Sequence, residues 1–325
     1  MHNNTLMVII IVEVIDVIIY KYLSKQGGVA TIKSKSVLLN KPIKYNDPFD
    51  CSTNLPKEEC DAAFELFLNY QLFKGLYDFF VKHDAKAKRF KHLAETYKEY
   101  LPIAGSSIKL AKKYTEQPYL KPCRPFICKY LGKTLPALKK EFKQVMDNSL
   151  QKLRKNVVVS CFGSIRDSIL MWSHYAEMHK GVCIEYEIND KDFREVEYCE
   201  EMPVFKLYET LQIHFGHEFM GREIDFSNSE YDFISKPLLT KSIDWEYEGE
   251  VRCVYSAKKL DPKIKRIGKK WNKKLVLEMP PAKAIYIGCA ASSAFVQKIK
   301  KISGEAPVYK MEKKDGEYGL VANRA

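Results

Sequence analysis

In the stretch SIDWEYEGEVRCVY, Glu248, Glu250 and Arg252 stand two residues apart from one another. Side chains alternate along an extended strand, so a strand here puts both carboxylates and the guanidinium on one face. Burying such a set is costly unless the charges are paired or used. A second group of chemically capable residues is Trp172, Ser173, His174, Tyr175 and His179, crowded into a helical turn or two of LMWSHYAEMHKG. A third lies near the N-terminus, where IYKYLS offers Lys21 and Tyr22 and KYNDPFD offers Asn46, Asp47 and Asp50. Each has a plain structural reading as well. Trp172 fits a core, His174 can bond a backbone carbonyl, and Asn46–Asp47–Pro48 is a tight-turn signal.

Metal chemistry is one use for these residues. Asp47 or Asp50 with Glu248, Glu250 and His174 could gather round Mg²⁺, as a metal-dependent nuclease requires. No compact acidic motif reinforces that reading, and His214 with His217 offers only two ligands. The nine cysteines are odd in number and contain no Cys-x-x-Cys pair. Cys161, Cys183, Cys253 and Cys289 sit in apolar runs, as small hydrophobes do in a reducing compartment. The reading is therefore of a cytoplasmic chain without a bound metal.

The elements that must position these residues follow from periodicity. Runs rich in β-branched residues (VIIYKYLS, SVLLN, 157–162, 181–187, 195–199, 250–255, 274–279 and 284–289) read as strands. The glycine pair at 27–28 reads as a turn between the first two. Phe64, Phe67, Leu68, Leu72, Leu76 and Phe80 recur at helical spacing. Ser164 with Asp167 marks entry to a helix over 165–178. The expectation is an α+β fold, mostly antiparallel sheet with strands from both ends of the chain. Residues 1–60 and 156–325 form its single domain, and 61–155 is a basic helical insertion. Leu6–Ile19 is apolar but is interrupted by Glu13 and Asp16, so it reads as buried strand rather than a membrane span.

The chain carries 53 basic and 41 acidic residues, a net charge of +12. The excess is segregated: 109–155 carries +10 and 258–274 carries +8. Lys265, Arg266, Lys269, Lys270 and Trp271 in the second cluster, with Tyr114, Tyr119 and Tyr130 in the first, give the cation–aromatic interleaving of a nucleic-acid-binding surface. A pure binder of polyanions has no use for Glu248 and Glu250.

In order and spacing the blocks resemble the bacterial family known as domain of unknown function 2971. Its members carry an LYKY-like first strand, an NDPF turn, a CF…LMWSHYA…HKGVCIE block and a late W-x-x-E-x-E-x-R strand. The resemblance runs from Tyr20 to about Gly288 and is weakest over 61–155. More distantly, the layout is similar to ADP-ribosyltransferases, which hold NAD on an early strand and act through a late glutamate.

That second resemblance implies Glu250 as the catalytic carboxylate and Glu248 as the orienting one. It implies Lys21 and Tyr22 on the cofactor-facing strand, and His174 and Tyr175 lining a nicotinamide pocket. Lys21 departs from the His or Arg expected there, a place that His174 or Arg252 would have to fill. The expected function is an NAD-dependent ADP-ribosyltransferase-like effector, a toxin or anti-phage protein, acting on nucleic acid or protein. The alternatives are a nucleic-acid-binding protein or a metal-dependent nuclease of a defence system.

Overall fold

The computed structural model describes residues 17–83, 120–189, 192–220, 236–257, 261–268 and 274–325. The N-terminal third supplies β1 (Val17–Leu23), α1 (Lys25–Ser34), β2 (Ser36–Leu39) and α2 (Lys57–His83). Then come α3 (Leu120–Leu131), α4 (Leu135–Asn156), β3 (Val157–Gly163), α5 (Ile169–Tyr175) and β4 (Val182–Ile188). Short β5 (Phe193–Glu195) and β6 (Glu197–Cys199) precede α6 (Leu207–Met220) and β7 (Thr240–Ser242). The chain continues with β8 (Glu250–Ser256), β9 (Ile264–Ile267), β10 (Lys274–Glu278) and β11 (Ala284–Ile287). It closes with α7 (Ser293–Ile302), β12 (Val308–Lys313) and β13 (Leu320–Arg324).

Two compact units result. One holds Met1–Asp50, Lys155–Glu200 and Lys241–Ala325; the other holds Cys51–Arg154 and Glu201–Thr240. The helical unit thus includes 201–240, where the sequence reading drew an insertion of 61–155 alone. The reason is apolar packing: Phe205 and Leu207 share one buried cluster with Phe64, Leu68, Leu72 and Phe142. Within this unit α2 carries Phe64, Leu68 and Leu72 at the spacing the sequence implies, and Phe64 and Phe142 pack with ring centroids 5.6 Å apart.

The α+β expectation holds in the first unit. Eight strands form one sheet in the order β13-β12-β11-β4-β1-β3-β8-β5, all antiparallel neighbours except the parallel pair β11–β12. A second sheet runs β2-β10-β9. Strand β1 pairs with β4 from Val17↔Ile188 to Leu23↔Val182. Alternation then separates its two sides. Ile19 joins Phe162, Ile184, Cys253 and Ile285 in the main core, with Val29 and Ile32 of α1 and Ile299 of α7 packed there. Tyr22 goes to the opposite face with Trp172, Cys183 and Tyr286.

Three local expectations are corrected. Gly27 and Gly28 lie inside α1, not in a turn, and Ser24 caps that helix by accepting a bond from Gly27 N at 3.2 Å. A Cβ at Gly28 would lie 2.3 Å from Cγ2 of Val182, so the residue permits close packing of α1 against β4. Helix α5 starts at Ile169 with Ser168 as its cap, four residues later than Ser164 suggests. The intervening backbone is held elsewhere: the Tyr22 hydroxyl donates to Ile165 O and Trp172 Nε1 to Arg166 O, both at 2.7 Å. Residues 195–199 divide between β5 and β6 and are not one strand. Of the apolar Leu6–Ile19 run, only 17–19 fall within the described residues, and they begin β1. Among the described residues no helix is long and apolar enough to cross a membrane.

Candidate functional site

The first unit contains a cavity of about 240 Å³ in which all three chemically capable blocks meet. Strand β1 gives it Tyr20, Lys21 and Tyr22, and the NDPF turn gives Asn46, Asp47 and Asp50. Strand β3 adds Cys161, α5 adds Met171 and Tyr175, and the segment after β7 adds Trp245, Glu248 and Glu250. The turn forms as its residue types dictate, with Asp47 Oδ1 accepting from Phe49 N at 2.8 Å.

Glu248 is not on a strand. It ends a 3-10 helix over Ile243–Glu248; Gly249 then takes the left-handed conformation (φ 48°), and β8 starts at Glu250. The two carboxylates nevertheless converge, because Lys241 of β7 lies between them. Its ammonium is 2.5 Å from Glu248 Oε2 and 3.1 Å from Glu250 Oε2. It also lies 3.9 Å from Asp50 Oδ2 and 4.8 Å from the centre of the Trp245 ring.

Arg252 completes the network from beneath. It is fully buried, gives Glu250 a two-pronged contact (Nε to Oε1 at 2.7 Å, Nη2 to Oε2 at 2.9 Å), and binds Asp50 Oδ1 at 2.8 Å. Such forked pairing fixes the carboxylate's orientation as well as its charge. Tyr198 accepts from Glu250 N at 2.8 Å, and Tyr175 donates to Glu248 Oε1 at 2.6 Å.

The neighbours push the two acids in opposite directions. Burial tends to raise Glu250, but Arg252 and then Lys241 overcome it and bring its pKa down to about 2. For Glu248 burial prevails over Lys241 and Tyr175, and the pKa rises. Lys241 is lowered by burial yet ends above its ordinary value because Glu250 and Glu248 face it. Burial, reinforced by Glu250, keeps the Cys161 thiol well above its usual range, which disfavours the thiolate.

Lys21 and Tyr22 part company, as neighbours on a strand must. The Tyr22 ring packs edge-on against Trp172, with centroids 5.4 Å apart. The Lys21 ammonium is taken up by Ser160 Oγ (2.9 Å) and Cys161 O (2.6 Å), and lies 4.8 Å over the Phe162 ring. Burial lowers its pKa. Lys21 nevertheless lines the cavity. His174 is exposed and does not line the cavity; its Nδ1 lies 3.3 Å from the Tyr247 hydroxyl.

Lys265 and Arg266 are exposed on β9 in the other sheet, and Lys265 is ion-paired with Glu278. Lys269, Lys270 and Trp271 lie outside the described residues, as do Tyr114 and Tyr119. Among the described residues no cluster of three His, Cys, Asp or Glu is placed to hold a metal ion.

Sequence reading missed Lys241 and Trp245 as site residues, and it considered Asp50 only as a metal ligand. A lysine in the otherwise apolar and hydroxylic run LLTKSI was the available signal for Lys241. A buried lysine demands a carboxylate partner.

Residues 171–253 match the family model described as Protein of unknown function (DUF2971). The matched segment runs from α5 through β8 and so contains Tyr175, Lys241, Glu248, Glu250 and Arg252. No curated protein and no solved structure matches the chain.

Proposed function

We propose that this chain, whose residues 171–253 match the DUF2971 model, breaks the N-glycosidic bond of a nicotinamide dinucleotide and transfers the ADP-ribosyl group to nucleic acid or protein. The observation that carries this reading is the pair Glu248 and Glu250, bridged by one ammonium in the wall of an aromatic-lined cavity, with acidities pushed apart. Separated acidities assign roles to paired carboxylates. Glu250 stays ionised at any physiological pH, and a fixed anion stabilises the cation that develops on a ribose as its glycosidic bond breaks. The bonding electron pair leaves with nicotinamide. The acceptor's oxygen or nitrogen then forms the new bond to the ribose carbon, and Glu248 takes the proton it releases.

Tyr20, Tyr22 and Trp245 offer ring faces and edges to a planar pyridine. The cavity is somewhat smaller than the ~300 Å³ at which sites for whole small molecules begin. It therefore suits the nicotinamide–ribose end, with the rest of the dinucleotide outside. A Mg²⁺-dependent nuclease is less well supported, because Lys241 and Arg252 already engage Asp50, Glu248 and Glu250. A cation would have to displace two resident ones.

Calorimetric titration with NAD tests the reading. The expected result is saturable binding that Trp245→Ala weakens about tenfold, through loss of an aromatic contact. His174→Ala should leave it unchanged, since His174 stands off the cavity. No saturable binding at millimolar NAD overturns the proposal.

A further inference from the structure

Beside the cavity, on the same sheet face, lies a second polar and aromatic group that the glycosidic chemistry does not use. Tyr20 of β1, which lines the cavity, meets Tyr286 of β11 edge-on at 6.5 Å. Tyr286 in turn stacks on Tyr309 of β12 at 5.3 Å and 19°. The buried Tyr286 hydroxyl donates to buried Glu185 of β4 at 2.7 Å. Its proton is thereby committed, so it accepts from Arg166 Nη1 at 3.3 Å. The Arg166 guanidinium lies 5.2 Å over the same ring.

Arg166 itself is exposed. Its loop is pinned at two backbone carbonyls by Tyr22 and Trp172, so the guanidinium is presented from a fixed base. A guanidinium has five N–H donors in a planar fork. Here one bonds the Tyr286 hydroxyl, on a side chain that is exposed. Glu185 is the nearby carboxylate; it accepts from Tyr286 and also attracts Arg166 electrostatically.

We infer that Arg166, stacked on Tyr286 beside the cavity, is a phosphate-binding subsite that takes the diphosphate of the dinucleotide. This rests on the glycosidic reading of the cavity for the identity of the nicotinamide end. Oriented guanidinium forks pair with phosphate oxygens through two parallel bonds, and stacking on a ring reduces the ordering cost. The small cavity leaves the dinucleotide's pyrophosphate outside, and Tyr20 of its lining leads through Tyr286 to Arg166.

The test is calorimetry with NAD, nicotinamide riboside and ADP on the full chain, comparing wild type with Arg166→Gln and Arg166→Lys. Losing one charge-assisted fork should weaken NAD and ADP by roughly ten- to a hundredfold and leave the riboside unchanged. Lysine, a point charge without the fork, should restore only part of the loss. Equal weakening of NAD and riboside, or undiminished NAD binding in Arg166→Gln, overturns the subsite.

The outcomes separate this inference from the reading it rests on. If wild type binds ADP in an Arg166-dependent way but neither NAD nor riboside better than ADP, the subsite stands and the glycosidic reading falls. If wild type binds none of the three, both fall.

Discussion

Glu250 and Glu248 differ by what faces each of them, and that difference has a pH signature. With its pKa lowered from an ordinary 4.5 to about 2, Glu250 stabilises the fold fully above about pH 4.5. That contribution is lost as the pH falls through 2, because the unfolded chain takes up its proton first. Glu250→Gln keeps the shape of the side chain but leaves Arg252 and Lys241 each short of a charge, and should cost about 3 kcal/mol at neutral pH. Urea unfolding followed by circular dichroism should show the gap between wild type and variant narrowing from pH 4.5 downward; a constant gap would contradict the assignment. At this scale the sequence was informative about types but not about use. Glu248, Glu250 and Arg252 are identifiable as an unusual set by spacing alone. Lys241, which holds the two glutamates together, is not, because its contacts depend on the fold of the segment from 241 to 250. His174 stood out by type and motif, yet a helix has an exposed side too, and His174 is on it.

At the scale of elements, the turn at Gly249 decides how the carboxylates meet. Glu248 ends a 3-10 helix and Glu250 begins β8, so the residue between them must reverse direction at φ 48°. An added Cβ there would pay the left-handed penalty, about 1 kcal/mol, and would lie 2.1 Å from Ser164 Oγ. Gly249→Ala should therefore cut activity more than it cuts stability, since it moves one carboxylate relative to the other. Adding Ser164→Ala should relieve the steric share, which paired thermal melts and activity assays would reveal. Recovery of neither would place the constraint elsewhere. The strand content was legible here because β-branched runs such as VVVSCF and GVCIEYE state their period plainly. The 3-10 helix was not legible: alternation of E-x-E-x-R imitates a strand, and only the glycine between the glutamates hints at a break. The Gly27–Gly28 pair misled in the opposite sense, since its use is close approach to Val182 rather than turning.

For the molecule as a whole, the sheet draws strands from both chain ends, which the distribution of apolar runs made visible. The assignment of 201–240 to the helical unit was hidden, because it depends on Phe205 and Leu207 finding Phe64 and Phe142 far away in sequence. The net charge of +12 bears on the acceptor. If nucleic acid is the acceptor, the exposed pair Lys265 and Arg266 should contribute to its binding through phosphates. Reversing both to Glu should then weaken single-stranded DNA or RNA binding and flatten its salt dependence, leaving NAD affinity intact. Unchanged binding in a salt titration would remove β9 from that surface. The central claim, glycosidic cleavage at Glu250, is tested most directly by chromatographic detection of nicotinamide released from NAD. Wild type should release it in a time-dependent way, and folded Glu250→Gln a hundred- to a thousandfold more slowly, the scale for loss of one preorganised electrostatic group. Release at the same rate from both proteins, or none above the buffer background from wild type with any nucleic acid or protein acceptor present, would contradict it.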